Sequence, residues 1–443
     1  MEFISYHPAT GTEVTRVQTL SADELEQRLQ QNQQAAQTWR QSSTSDRSAL
    51  LNRLASLLSA NRERLALSIT RVMGKLLSEA LAEVDRCALE CNYFATHGPA
   101  MLPLARSMNT CEPMGSVLLL SSWRFPLWQV FRVLAPTLMA GNAVLLKLAE
   151  NLPLCAQEIE TLLADAEAPK GLVLSLLISK PQVATLIADA RVKALAFSGN
   201  RQDARQVAAL AGQQLKPVVL ELDETELQII LDDADLDLAV AAALRSRFRN
   251  AGQLGHAARG FMVTPGIADQ FVARLSAQLT EWQPGDPTLC ASTLGPLATR
   301  LQRDDLQQQV QAALAEGAQA VVGCQLPEGA GWYYPASLLD RVRPEMAVFR
   351  RQLSGPLACV LRAPNQNAII DMCQDLGPDG TVSIWTRNMA QGEQLARQLP
   401  FTTCLINREP CQGSGYQSQP GPMTDGHFSI RAFCHIKRLL VSA

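Results

Sequence analysis

The chain has 443 residues, 47% of them hydrophobic and 18% charged, with 39 Lys and Arg against 42 Asp and Glu. That length holds two or three domains and buries a large core, which excludes a small stapled scaffold. The formal charge of −3 provides no general attraction to nucleic acid or an anionic membrane, so both drop out as leading partners.

In chain order, residues 1–8 lack the basic patch and apolar run of a signal peptide. Ser21-Ala22-Asp23-Glu24 is a capping box, and Leu50, Leu51, Leu54, Leu57 and Leu58 repeat at the spacing of one buried helix face. The first hundred residues therefore read as helical. Short apolar runs at 116–120, 143–147, 172–178, 192–197 and 218–222 then alternate with helix-length segments. This pattern predicts a parallel, doubly wound sheet. The most apolar stretch, 133–146, is short and broken by Pro136, Gly141 and Asn142, so a soluble, cytoplasmic protein is expected. Ligands of such sheets bind beyond the carboxyl ends of the strands, here 121–126, 147–150 and 198–204, although no GxGxxG is suitably placed. A second α/β series runs from 227–231 through a helical pattern at 235–249 and a strand at 260–264 to about residue 400, and 412–426 reads as a loop. The 11 cysteines are scattered; Cys87 and Cys91 stand one helical turn apart without partners at zinc-site spacing. Free thiols and no metal are expected.

At the carboxyl ends of the first strands, Trp123-Arg124-Phe125-Pro126, the run from Gly141-Asn142 to Lys147, and Leu220-Glu221-Leu222 resemble signatures of the aldehyde dehydrogenase superfamily. FRNAGQLGHAARGF at 248–261, Gly285-Asp286-Pro287, Gly295-Pro296-Leu297, Tyr334-Pro335, Gly355-Pro356 and Ile406-Asn407 follow in family order, so the resemblance covers nearly the whole chain. WRFPLWQVFR at 123–132, with His97-Gly98-Pro99-Ala100 before it, is most similar to bacterial succinate-semialdehyde dehydrogenases. The resemblance implies an α/β architecture: a Rossmann-type nucleotide domain over 1–105 and 113–222, a catalytic-type α/β domain over 223–410, and a small oligomerisation arm from 106–112 and 427–443.

The family's chemistry uses a thiolate to attack the aldehyde, a hydride acceptor, oxyanion donors and a carboxylate that activates water. Its Gly-Gln-x-Cys pattern falls on Gly252-Gln253-Leu254-Gly255 without insertion or deletion between Phe248 and Phe261. The resemblance thus places Gly255 at the nucleophile position, where it has no side chain to form an adduct. Cys290 is too distant along the chain for the same loop, and His256 is expected to be buried or hydrogen-bonded. Arg124 stands at the position of the oxyanion amide. It is expected to fill space meant for substrate or nicotinamide, or to pair with Asp223 or Glu224. Those two acids replace a Gly-Gly pair that lets backbone approach the nicotinamide. Glu221 keeps the general-base position, where its carboxylate could equally satisfy Arg124.

Lys147 and Glu150 match the lysine and acid that hold the adenosine ribose, and an acid there favours NAD over NADP. Phe197-Ser198-Gly199-Asn200, with Ala204 after it, departs from the family's phosphate turn. Asn200 can still cap the following helix and leave amides for a phosphate, while Asp203 competes with an anion. The family's Glu-x-Phe-Gly-Pro appears as Gln352-Leu353-Ser354-Gly355-Pro356. Candidate cofactor contacts are thus Lys147, Glu150, Gly199, Asn200, Trp123 and Gln352, with the nicotinamide end poorly held. The leading reading is a pseudoenzyme that binds a dinucleotide, a small metabolite or another protein. The alternative is an NAD(P)-dependent aldehyde oxidoreductase that uses Glu221, Arg124 and His256. The apolar positions of 430–441 suit an edge strand added to a neighbouring subunit, so a homodimer is expected, with a hetero-oligomer containing an active homologue as the third reading.

Overall fold

The computed structural model describes residues 2–102, 109–223, 225–351, 353–374, 376, 380–409 and 430–438. Glu224, Gln352 and the 412–426 loop lie outside the described residues.

The chain opens on an antiparallel hairpin of β1 (Glu2–His7) and β2 (Thr12–Gln18), which corrects the helical reading of the first hundred residues. The β-branched residues of TEVTRVQ suit a pleated surface, and Gly11, at φ 74°, supplies the left-handed turn conformation. Helix begins only at Ala22, where Ser21 accepts from Glu24 N and Glu24 accepts from Ser21 N in the capping box.

After β3 (Asn109–Pro113) comes a five-stranded parallel sheet of β4 (Ser116–Leu120), β5 (Ala143–Lys147), β6 (Val173–Ser175), β7 (Val192–Gly199) and β8 (Val218–Leu222), in the order β6-β5-β4-β7-β8. β6 is shorter than the apolar run at 172–178. Strands β4 and β5 are buried at every position, as helices on both faces of a parallel sheet require. The order reverses between β4 and β7, so the crevice for a ligand opens at their carboxyl ends.

A second sheet contains β9 (Thr225–Ile230), β10 (Ala258–Val263), β11 (Gln319–Val322), β12 (Ser337–Asp340), β13 (Leu357–Arg362), β14 (Gly380–Trp385) and β15 (Thr403–Ile406), in the order β11-β12-β13-β10-β9-β14-β15. Only β11 runs antiparallel to its neighbour. Each sheet has its own apolar core, and the chain passes between them in the short step from β8 to β9. Finally β16 (Cys434–Arg438) pairs antiparallel with β3 of the same chain. Asn142 anchors this ribbon, donating to Phe433 O at 3.0 Å and accepting from Gly115 N at 2.9 Å. Among the described residues no helix is long and apolar enough to cross a membrane, and no His, Cys, Asp and Glu cluster could hold a metal ion.

Candidate functional site

Three segments meet around Asp223. The first is the loop after β4, which carries Trp123 and Arg124. Glu83, on the helix Leu77–Met101, accepts from Leu127 N at 2.9 Å and Trp128 N at 3.0 Å and so caps the helix Trp128–Met139. Lys75 pairs with Glu83, lies 4.0 Å from the centre of the Phe125 ring and donates to Arg124 O at 3.2 Å. The loop is thus held from beneath by a fully buried ion pair.

The second segment is the end of β8, where Asp223 N donates to Gly199 O at 3.1 Å and holds Glu221 and Asp223 beside β7. The third is the turn from 249 to 257. Its backbone is fixed by Arg247, whose guanidinium donates to Ala258 O at 3.0 Å and Gly252 O at 2.9 Å. Gln253 accepts from Ala298 N at 2.9 Å, and Asn250 N donates to Glu79 at 2.7 Å. Asn250 and Ala251 adopt left-handed φ near 50°, and Gly252 lies so close to Gly355 that a Cβ there would overlap the Gly355 carbonyl.

These segments place Asp223 against Gly255. A Cβ added to Gly255 would overlap Asp223 Oδ1 and lie 3.3 Å from its Cγ. The same carboxylate is held by Arg124, with Nη1 3.0 Å from Oδ1, and Arg124 also lies 5.1 Å from the Trp123 ring. Both side chains of the pair are largely buried. Of the two acids expected for Arg124, the structure uses Asp223. Glu221 does not satisfy Arg124: it pairs with Arg132 at 3.2 Å, because the helix Trp128–Met139 brings that guanidinium to the end of β8.

Sequence reasoning overlooked Arg86 and Glu90, on the helix Leu77–Met101, and the roles of Arg132 and Arg249. Only tertiary packing brings these together. Burial pushes the Glu90 carboxyl up to about 7, with Glu221 adding to the rise and Arg132 opposing it. Burial, reinforced by Arg249, Arg86, Arg132 and Arg124, drives the His256 imidazole down to about 4. His256 is therefore neutral at pH 7. Its cavity, shared with Glu226, Arg245, Ser246, Arg249, Leu254 and Glu409, offers about 10 Å³, the space of roughly one water.

The two groups act oppositely on stability. Between pH 6.5 and about 4 the unfolded chain binds the His256 proton and the folded one does not, so this term falls as pH is lowered. Between pH 4.5 and about 7 the folded chain holds the Glu90 proton, so this term falls as pH rises. Melting curves from about pH 4.5 to 6.5 should therefore show His256→Gln losing stability with rising pH relative to wild type, and Glu90→Gln gaining it. Parallel profiles for the three proteins would remove both assignments.

The aldehyde dehydrogenase family model matches residues 1–437. The succinate semialdehyde dehydrogenase [NAD(P)+] Sad of Escherichia coli (strain K12) is 35% identical over 98% of this chain and 96% of its own. The succinate-semialdehyde dehydrogenase [NADP(+)] 1 of Mycobacterium tuberculosis (strain ATCC 25618 / H37Rv) is 32% identical, with both chains fully covered. The chain belongs to the aldehyde dehydrogenase family. Its structure is also similar to succinic semialdehyde dehydrogenase from Streptococcus pyogenes in complex with NADP+ (TM-score 0.90, 26% identity, 98% of each chain covered).

For an aldehyde dehydrogenase fold, the residues fit a dinucleotide unevenly. Lys147 ends β5 with its Nζ donating to Leu148 O at 3.1 Å, and burial lowers its pKa against the opposing field of Glu150. Ser121, at the end of β4, keeps a buried Oγ with no hydrogen-bond partner among the described residues. Lys147, Glu150 and Ser121 thus suit the hydroxyls of an adenosine ribose. Following Gly199, Asn200 accepts from Asp203 N at 2.9 Å and caps the helix Arg201–Gln213, but it also donates to the Asp203 carboxylate at 2.8 Å, which places an acid beside any incoming phosphate. On the nicotinamide side the Asp223 carboxylate, paired with Arg124, lies against Gly255.

Proposed function

We propose that this aldehyde dehydrogenase family member has lost thiol-dependent aldehyde oxidation and acts as a non-catalytic binding or regulatory protein. One observation carries the reading: the Asp223 carboxylate, held by Arg124, occupies the volume a side chain at position 255 would need. A nucleophile is absent from Gly255, and the space for one has been filled. The alternative catalytic constellation of Glu221, Arg124 and His256 is disfavoured, since Arg124 and Glu221 are each engaged by a counter-ion. Purified protein at near-stoichiometric concentration, mixed with NAD and succinate semialdehyde, is expected to form no NADH. A cofactor-dependent signal that survives removal of trace contaminants would overturn the reading.

Any dinucleotide is held from its adenosine end by Lys147 and Glu150. NAD is preferred to NADP, because a carboxylate opposes a 2′-phosphate. Bound NAD would supply a hydride acceptor, but the residues around Arg124 leave that chemistry unused. Isothermal titration should therefore give NAD and ADP-ribose equal affinities within about two-fold, and Lys147→Ala should weaken both about ten-fold, the equivalent of one charge-assisted hydrogen bond. A clear preference for NAD would show that the nicotinamide is recognised. In solution the chain forms a homodimer or joins an active homologue; copurification separates the two.

A further inference from the structure

The ribbon formed by β3 and β16 carries two thiols on one face. Cys111 stands opposite Ile436 and Cys434 opposite Pro113, so the two cysteines are diagonal neighbours across an antiparallel pair. A two-stranded ribbon twists more strongly than a wider sheet, and such twist shortens one of the two diagonals across the pair. Burial raises the Cys434 thiol, and the neighbouring Cys111 adds to that rise. Cys111 is partly exposed, whereas Cys434 is buried, with its Sγ donating to Ile430 O at 3.3 Å.

The surroundings are electropositive. Arg47 is buried and donates to the carbonyls of Met139, Trp39 and Arg40, with no carboxylate in ion-pair range among the described residues. Its charge and that of Arg431 favour the Cys434 thiolate, although burial outweighs them and raises the thiol to about 12. Among the described residues, Cys87 and Cys91 are fully enclosed on one helix, and Cys290 is exposed and distant in sequence from the ribbon.

The geometry points to Cys111 and Cys434 as a reversible dithiol–disulfide pair that staples the C-terminal strand to β3 when the protein meets a peroxide. Accessible Cys111 reacts first: its thiolate attacks one peroxide oxygen, the O–O bond breaks, and hydroxide leaves to give a sulfenic acid. Cys434 then loses its proton and attacks Cys111 Sγ; the S–O bond breaks and the departing hydroxide takes that proton as water. The two sulfurs supply two electrons, so two thiols and one hydrogen peroxide yield one disulfide and two waters. Burial of Cys434 makes the second step slow, and a thiol reductant reverses the bond. The consequence is mechanical: a ribbon of only two strands, marginal by itself, becomes covalently closed.

The test treats full-length protein with dilute hydrogen peroxide. Thiol titration should fall from 11 to 9 per chain, and non-reducing electrophoresis should show a faster monomer band, since the bond closes a loop of most of the chain. Peptide mass mapping should recover a 111–434 linkage that disappears with reductant. Cys111→Ser and Cys434→Ser should each abolish the fast band, and a Cys290→Ser/Cys411→Ser background should retain it. Cys111→Ser, at a partly exposed position, keeps the test valid if the buried Cys434→Ser fails to fold. Oxidation confined to Cys290 or Cys411, a disulfide between two copies, or a fast band that survives Cys111→Ser would overturn the proposal.

Discussion

Gly255→Cys alone is expected to give no aldehyde-dependent NADH formation and a protein less stable than wild type. The new Cβ would overlap Asp223 Oδ1, and the sulfur would compete with a carboxylate already held by Arg124. Forcing extra atoms into a filled site costs about 1–3 kcal/mol. A nucleophile without an oxyanion donor also lacks a term worth about 10²–10³ in rate. Adding Asp223→Gly and Arg124→Asn frees the volume and supplies an amide, so the triple variant should exceed the single one by at least about 100-fold in initial rate. Activity from Gly255→Cys by itself would show that Asp223 moves aside easily and that the pair does not block the site.

The largest loss of stability is expected from Glu83→Ala, about 3–5 kcal/mol by urea unfolding, because it leaves the Lys75 ammonium buried without its counter-charge. It also uncaps Leu127 N and Trp128 N at the start of the helix that bears Arg132. Removing both charges is milder: Lys75→Met with Glu83→Leu should recover most of the loss, since two apolar side chains need no partner. If Glu83→Ala unfolds within about 1 kcal/mol of wild type, the buried pair is not what anchors the loop that carries Arg124.

The framework was legible from local patterns. The alternation of apolar strands and helices gave the parallel five-stranded sheet, and Asp235 did begin a helix, accepting from Leu238 N at 3.2 Å. The hairpin at the start was missed because the leucine spacing of the following helices dominated that part of the chain, although TEVTRVQ carries a strand signature of its own. Within the site, the absence of a side chain at Gly255 could be read directly, because a side chain that does not exist needs no structure to rule it out. Glu90 could not be read, since its raised pKa comes from burial and from Glu221, against the opposing Arg132, on elements far apart in the chain.

By itself the sequence determined the family fold and the absence of a side chain at position 255. Both depend on residue identity and on spacing along the chain. Which arginine meets which acid was decided only by the tertiary structure. Arg124 and Arg132 sit in one short run, and Glu221 and Asp223 in another, so either pairing was open until the Glu83-capped helix carried Arg132 to Glu221 and left Arg124 for Asp223. The filled space at Gly255 follows from that choice. Coulomb attraction is indifferent to chain order and acts on the few ångströms that packing sets.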